Sequence, residues 1–355
     1  AALATSRTTV TQSSMANSNP SSNRASTPTP PRGWRASDPR ARVGLAMNDE
    51  SGSALCVAHV LKNATARLEG AGVASPRVDA ELLLAHVTGE QRSRLRLLTT
   101  LAADQLAVYE ALLIRRCARE PLQHLTREAY FRHLVLQVGP GVFIPRPETE
   151  TLVDIALAEL ASLRAHNAHA GLVVVDLCTG SAAIPLAIAP EPSGVQAIGV
   201  ELSPEAFEWA TRNVGAHASA LASAGSSLNL ISGDAREAAL LLPHLAGTVD
   251  VLTCNPPYIP AEAIPRDPEV RDFDPAIALY GGPDGLDVVR DVVEQAASLL
   301  RPGGLLLLEH GDEQGEAGGD AGFPGLVRIA GSFTDVMDVA DLAGRPRVTS
   351  ARRAG

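Results

Sequence analysis

The chain has 355 residues, 40 Asp and Glu against 30 Lys and Arg, and a net charge of −10. That length supports a large core and two domains, while the acidic balance speaks against broad or stable nucleic-acid binding, which wants a basic face. Cys56, Cys117, Cys178 and Cys254 stand far apart with no CxxC pair or Cys/His cluster, so they read as reduced thiols of a cytosolic protein rather than as metal ligands or a disulfide frame.

Residues 1–47 are rich in Ser, Thr, Pro, Asn and Arg, with Asp38 the one acid, and are expected to be a disordered tail. Their composition is that of an organellar transit segment. A dispensable tail, or translation from upstream of a start at Met47, is the preferred reading over targeting. Residues 48–124 form an expected helical domain. Val57, Val60, Leu61 and Leu68 recur at helical spacing before Gly70 and Gly72. Pro76 opens a second helix that Gly89 closes, and a third runs over 103–119 until Pro121 stops it. Nothing in these helices suggests chemistry, so contact with a partner or with the rest of the chain is their expected role.

Residues 125–147 are expected to link the domains. Over 129–138 the β-forming residues partly alternate, which fits a short hairpin. Prolines at 145 and 147 then flank Arg146, a rigid setting for one positioned side chain or simply a stiff entry loop. The remaining chain, 148–355, alternates helices with buried-strand patterns. Strand 171–176 is apolar and ends in Asp176. A small-residue loop, Cys178-Thr179-Gly180-Ser181, follows and leads into a helix, as at the cofactor end of a Rossmann-like sheet. The second strand, 195–200, precedes Glu201, which lies 25 residues after Asp176, where a ribose diol is usually gripped. Strand 228–232 leads to Asp234, and strand 249–253 to the turn Asn255-Pro256-Pro257-Tyr258. An irregular loop is expected over 259–283, long enough to cover or shape a site. Then come a helix over 286–300, a strand over 305–309, a helix of about ten residues from Phe323, and an antiparallel pair around Gly344. No run of about 18 uncharged apolar residues occurs, so no membrane span is expected.

The turn after 253 must end its strand, because Pro256 and Pro257 cannot donate to a ladder. It offers two acceptors, the Asn255 side-chain oxygen and the Pro256 carbonyl, beside the Tyr258 ring. Such a set suits a planar NH2 on a carbonyl or on a base, although two prolines in a plain turn would read the same. The loop after Asp176 has one central glycine instead of GxGxxG, which leaves a pyrophosphate little room. S-adenosylmethionine needs an acid near its amino or ribose groups, and close backbone approach. Asp176, Gly180 and Glu201 meet that need, and Asp234 is placed to accept from an adenine amino group. The expected cofactor contacts are therefore Asp176, Cys178, Thr179, Gly180, Ser181, Glu201 with Leu202, Asp234 with Ala235, and Asn255. The antiparallel finish of the sheet also belongs with methyltransferases, and no metal site is expected.

From about Ser53 onward the chain resembles the release-factor glutamine methyltransferases. The resemblance rests on Arg119-Glu120-Pro121, on Ile144-Pro145-Arg146-Pro147-Glu148-Thr149-Glu150, on Asp176 to Ser181, on Glu201-Leu202-Ser203, on Asn255 to Ile259, on Gly281 to Gly285, and on Glu309 with Gln314. It implies a small helical domain joined to a seven-stranded class I methyltransferase sheet with an antiparallel last strand. It also implies methylation, from S-adenosylmethionine, of the glutamine amide in the Gly-Gly-Gln motif of peptide chain release factors by a cytoplasmic monomer. Asn255, Pro256, Pro257 and Tyr258 then hold the amide, Arg146 braces the substrate loop, and no dedicated general base is expected. Two departures stand out: Cys178 and Ala182 occupy positions where the family carries glycine, so a glycine-like dihedral could fall on a residue with a Cβ. Adenine-N6 methylation of nucleic acid would fit the same turn but needs a basic channel, and a non-catalytic adaptor of the same fold is the other alternative.

Overall fold

The computed structural model describes residues 56–167 and 171–355, so the expected tail over 1–47 lies outside the described residues. Four helices come first: α1 (Val57–Gly70), α2 (Pro76–Thr88), α3 (Ala103–Cys117) and the short α4 (Leu122–Thr126). Pro76 sits in the first turn of α2, and Gly89 closes it with a φ of 70°, as a missing N–H and a missing Cβ respectively favour. Pro121 ends one helix and opens the next, so α4 was hidden behind what reads in sequence as a stop signal. Leu68, Leu83, Leu84, Tyr109 and Leu113 fill a core of their own, with the Tyr109 hydroxyl donating to the Ala80 carbonyl at 3.1 Å.

A hairpin of β1 (Glu128–Phe131) and β2 (Leu134–Gln137) follows, with alternating burial that points Phe131, Leu134 and Leu136 inward. Helix α5 (Glu150–His166) then enters the main layer. The sheet is built from β3 (Leu172–Leu177), β4 (Val195–Glu201), β5 (Ser227–Ser232), β6 (Val249–Cys254), β7 (Leu300–Glu309), β8 (Phe333–Ala340) and β9 (Pro346–Arg353). Between them run α6 (Ala183–Ile188), α7 (Pro204–Ala216), α8 (Ala218–Ser223), α9 (Ala238–Leu241), α10 (Pro268–Phe273), α11 (Ala276–Leu279), α12 (Asp287–Leu299) and α13 (Phe323–Ile329). Ser203 caps α7, its Oγ accepting from the Ala206 N–H at 3.2 Å.

The strand order is β5-β4-β3-β6-β7-β9-β8, parallel as far as β7, with β9 antiparallel to both its neighbours. Helices cover both faces of the sheet, and the strands between them are buried apolar runs, as a parallel sheet requires. The chain leaves β3 in one direction for β4 and β5, then returns to the other side of β3 for β6 and β7. That reversal opens a crevice beyond the carboxyl ends of β3 and β6. Leu177 pairs with Cys254, so the loop after β3 and the turn after β6 emerge side by side.

Four expectations change. The stretch 259–283 is not wholly irregular, because α10 and α11 lie within it. The strand expected from 305 begins at Leu300, with a register shift against β6, and α13 has seven residues instead of about ten. Cys178 and Cys254, distant in sequence, also come together: Cys178 packs against the core cluster that holds Cys254.

Candidate active site

A cavity of about 730 Å³ occupies the crevice, a volume suited to a small ligand. Its lining brings together Cys178, Thr179, Gly180 and Ser181 from the loop after β3, Glu201 and Leu202 from the end of β4, Asp234 and Ala235 from the end of β5, and Asn255, Pro257 and Tyr258 from the turn after β6. Arg146 lines it from the entry loop, with Glu148 and Thr149 beside it, and residues of α10 and α11 close the opposite wall.

The β3 loop takes its shape from carboxylates. Glu201 accepts from the Gly180 N–H at 2.7 Å through Oε2 and from the Ser203 N–H at 2.8 Å through Oε1. Burial raises its pKa against the pull of those amides. Each of its oxygens keeps a second lone pair, so the group can still accept from a ligand hydroxyl. Asp176, expected as a cofactor contact, does not line the cavity. It is wholly buried beneath the loop, accepting from the Thr179 hydroxyl through Oδ2 and from the Thr253 hydroxyl through Oδ1, both at 2.6 Å. It thereby ties the loop to β6, and desolvation pushes its pKa up to about 7. Cys178 and Ala182 have φ of 57° and 63°. Both hold the left-handed conformation that glycine adopts freely and that costs a residue with a Cβ on the order of 1 kcal/mol. The glycine-like backbone is kept without the glycines.

The Asn255 turn is fixed from three sides. Gln314 Nε2 donates to the Tyr258 carbonyl at 2.9 Å, while its Oε1 accepts from the Gly311 N–H at 3.1 Å. Ile259 and Tyr280 form a parallel bridge, with the Ile259 N–H donating to the Leu279 carbonyl at 2.8 Å. Backbone also meets backbone here: a Cβ at Gly281 would stand 2.4 Å from the Pro257 carbonyl oxygen, and one at Gly285 would stand 2.2 Å from that of Tyr258. Only glycine permits that approach. Pro256 is buried within the turn and is not among the lining residues, so Asn255, Pro257 and Tyr258 present the turn to the cavity. The Tyr258 phenol is pushed up to about 12 by burial and stays protonated.

Arg146 Nη2 donates to Asp274 Oδ2 at 2.7 Å, and its guanidinium lies 5.0 Å from the centre of the Phe143 ring. Asp274 joins α10 to α11, so Arg146 ties the entry loop to the junction of those two helices. At the other end of α10, Glu269 accepts from Arg116 at 2.9 Å and from both arms of Arg119, at 2.7 and 2.6 Å. Arg116 in turn donates to the buried Asp79 at 2.7 Å. Contact with the rest of the chain was one of the two roles expected of the helices before the hairpin, and these ion pairs show where it is made. Asp234 lines the cavity but is engaged by Arg236, which holds its pKa below the usual range.

One residue with no role assigned from sequence stands in the site. Glu309 ends β7, one position past the Cys254–Leu308 pair, which sets it beside Asn255. It lines the cavity while only 3% exposed, and burial pushes its pKa up to about 7. The signal that singled out Asp176 and Glu201, an acid closing an apolar strand, was there to be read.

Residues 59–126 match the family described as PrmC N-terminal domain. Proteins named release factor glutamine methyltransferase are similar over most of the chain. That of Mycolicibacterium smegmatis is 45% identical over 293 residues, 82% of this chain and 96% of the relative. That of Streptomyces coelicolor is 45% identical over 292 residues, again 82% and 96%. A protein of Streptomyces pristinaespiralis named 4-amino-L-phenylalanine/4-methylamino-L-phenylalanine methyltransferase is 37% identical over 280 residues, 78% of this chain and 89% of its own.

Proposed function

Since the chain belongs to the release factor glutamine methyltransferase family, we propose that it moves a methyl group from S-adenosylmethionine to the side-chain amide nitrogen of the glutamine in a release factor's Gly-Gly-Gln motif, leaving N5-methylglutamine. The observation that carries this reading is the juxtaposition of the Asn255 turn with the Cys178–Ser181 loop across one parallel strand pair. A donor held by the loop and an amide held by the turn meet in one crevice.

The cavity suits this cofactor. Its charged lining is Glu148, Glu201, Asp234, Asp267, Asp287 and Glu309 against Arg146, Arg236 and Arg347. Arg146 and Arg236 already face acids, and Arg347 Nε lies 3.5 Å from Asp341. A net-negative cavity favours a cationic ligand and disfavours a pyrophosphate or a nucleic-acid backbone. Glu201 would hold the ribose hydroxyls, Asp234 with Ala235 the adenine side, and residues 178–181 the amino-acid end. When bound, S-adenosylmethionine supplies a methyl group activated by its sulfonium.

The protein's own groups do the positioning. An amide nitrogen is a weak nucleophile because its lone pair is shared with the carbonyl. Asn255 Oδ1 accepts one of its N–H bonds and Tyr258 packs beside the amide, while Pro256 stands behind the lining of the cavity and is not placed to accept the other. The hydrogen bond to Asn255 strengthens as positive charge develops on nitrogen, so it favours the transition state over the ground state. Orientation supplies much of the remainder, the sulfonium leaves as a neutral thioether, and the proton lost from nitrogen passes late to solvent.

The test is transfer of labelled methyl from S-adenosylmethionine to a purified release factor, with the Gly-Gly-Gln glutamine substituted in one control and unmethylated DNA in another. Label on the intact release factor alone is the expected result. Label on DNA, or on the substituted factor, would overturn the reading.

A further inference from the structure

Asn255 can hold its substrate in only one of two orientations. Its Oδ1 and Nδ2 are nearly the same size, so packing alone does not choose which faces the acceptor nitrogen. Something behind the side chain must choose. Glu309 stands there, one residue beyond the β6–β7 pair Cys254–Leu308, with the Thr149 hydroxyl and the Asn255 amide near enough to favour its ionised form.

We propose that Glu309 is a positioning residue for methyl transfer, its ionised carboxylate accepting from Asn255 Nδ2 and so turning Oδ1 toward the amide to be methylated. The proposal rests on the role given to Asn255 above.

Three observations support it. Glu309 is almost wholly buried yet borders the cavity, an expensive place for a carboxylate with no task. Its Oε2 and the Thr149 hydroxyl lack well-formed hydrogen bonds, so neither is used up in holding the fold. An ionised carboxylate is also an acceptor only, which makes the choice between Nδ2 and Oδ1 unambiguous. Once protonated it can donate, and the choice is lost.

The surroundings set where that switch falls. Thr149 and Glu148 face Glu309 from the segment before α5, Arg347 from β9, and Asn255 and Tyr258 from the turn. His310 follows it just past the end of the strand, its pKa lowered by burial. Desolvation is the largest influence, and it places the carboxyl at about 7, with Arg347, Thr149 and Asn255 pulling it down and Glu148 pushing it up. Turnover therefore rises as pH passes upward through this range.

The experiment measures kcat against pH, at saturating cofactor and release factor, for the unaltered enzyme and for Glu309→Gln, Glu309→Ala and Asn255→Ala, with cofactor Kd measured alongside. Gln does not titrate and, like the protonated carboxyl, can donate as well as accept. Glu309→Gln should therefore hold kcat near the low-pH value of the unaltered enzyme at every pH and lose the inflection near neutrality. Glu309→Ala should lose roughly 10- to 100-fold in kcat, part of what one transition-state hydrogen bond is worth, with cofactor Kd changed by less than about threefold. Asp176 titrates in the same range, so the difference between variants decides the matter. An inflection that persists in Glu309→Gln, an Ala variant with unaltered kcat, or a fall in kcat matched by an equal loss of cofactor affinity would each overturn the proposal. An active Asn255→Ala enzyme would instead overturn the reading of the turn itself.

Discussion

Replacing Asp176 with Asn should make the protein less sensitive to rising pH. Asp176 has no exposure, and its carboxyl is charged only above about 7, against 3.8 for the free side chain. Between those two values the folded protein holds a proton that the unfolded chain has released. Stability therefore falls with rising pH, by about 1.4 kcal/mol per pH unit, and levels off once the folded group has ionised. From about pH 5.5 to about pH 7 this amounts to roughly 2 kcal/mol, and little more is lost by about pH 8. Asn at this position stays neutral. It can accept from one threonine hydroxyl and donate to the other, because hydroxyls rotate to suit. Urea unfolding of both proteins at the two pH values, without cofactor, isolates the effect, since the other buried carboxylates cancel in the double difference. A variant whose stability tracks that of the unaltered protein within about 0.5 kcal/mol would refute the reasoning.

Asn255→Ala should lower kcat by roughly 10²- to 10³-fold while cofactor Kd, read by calorimetry, stays within a few-fold. A Cβ at Gly199 would stand 2.9 Å from Thr179 Oγ1 and 3.0 Å from Leu230 Cδ2. Gly199→Ala should therefore displace the threonine that ties the loop to Asp176, cost about 1–3 kcal/mol and raise cofactor Kd about tenfold, measured by the same calorimetry. His124 is buried in α4 with neither ring nitrogen partnered, and burial lowers its pKa to about 4. The stability present above 6.5 should be lost as pH falls toward that value, by about 2 kcal/mol at about pH 5. Thermal unfolding of His124→Leu should show that loss abolished.

The parallel strands were legible because buried runs such as 172–177 and 249–254 are mostly apolar, broken only by Asp176 in the first and by Asp250 and Thr253 in the second. The turn and the loop were legible for the same reason. Helices α10 and α11 were not, because six and four residues give no period to read. They are held instead by ion pairs to Arg116, Arg119 and Arg146, more than 120 residues away in the chain. Asp176 looks in sequence like any acid at a strand end. Only the two threonine hydroxyls show that it points under the loop instead of into the cavity. Glu309 carries the same local mark, an acid closing an apolar strand, but its place beside Asn255 needed the strand order, which sets β7 next to β6.

The two prolines after Asn255 have a consequence for fidelity. Neither has an N–H, so the backbone at 256 and 257 offers lone pairs and no donor. With the Asn255 NH2 turned away toward Glu309, as proposed above, a side chain entering this mouth meets acceptors from the turn, and the Tyr258 hydroxyl is the donor beside them. A glutamine satisfies them with its NH2. A glutamate, the product of deamidation, brings a negative charge against oxygens that cannot donate to it. A release factor carrying Glu in place of the acceptor glutamine should thus compete poorly with the intact factor in an inhibition assay, and the turn would serve as a filter that spares deamidated release factors from occupying the enzyme.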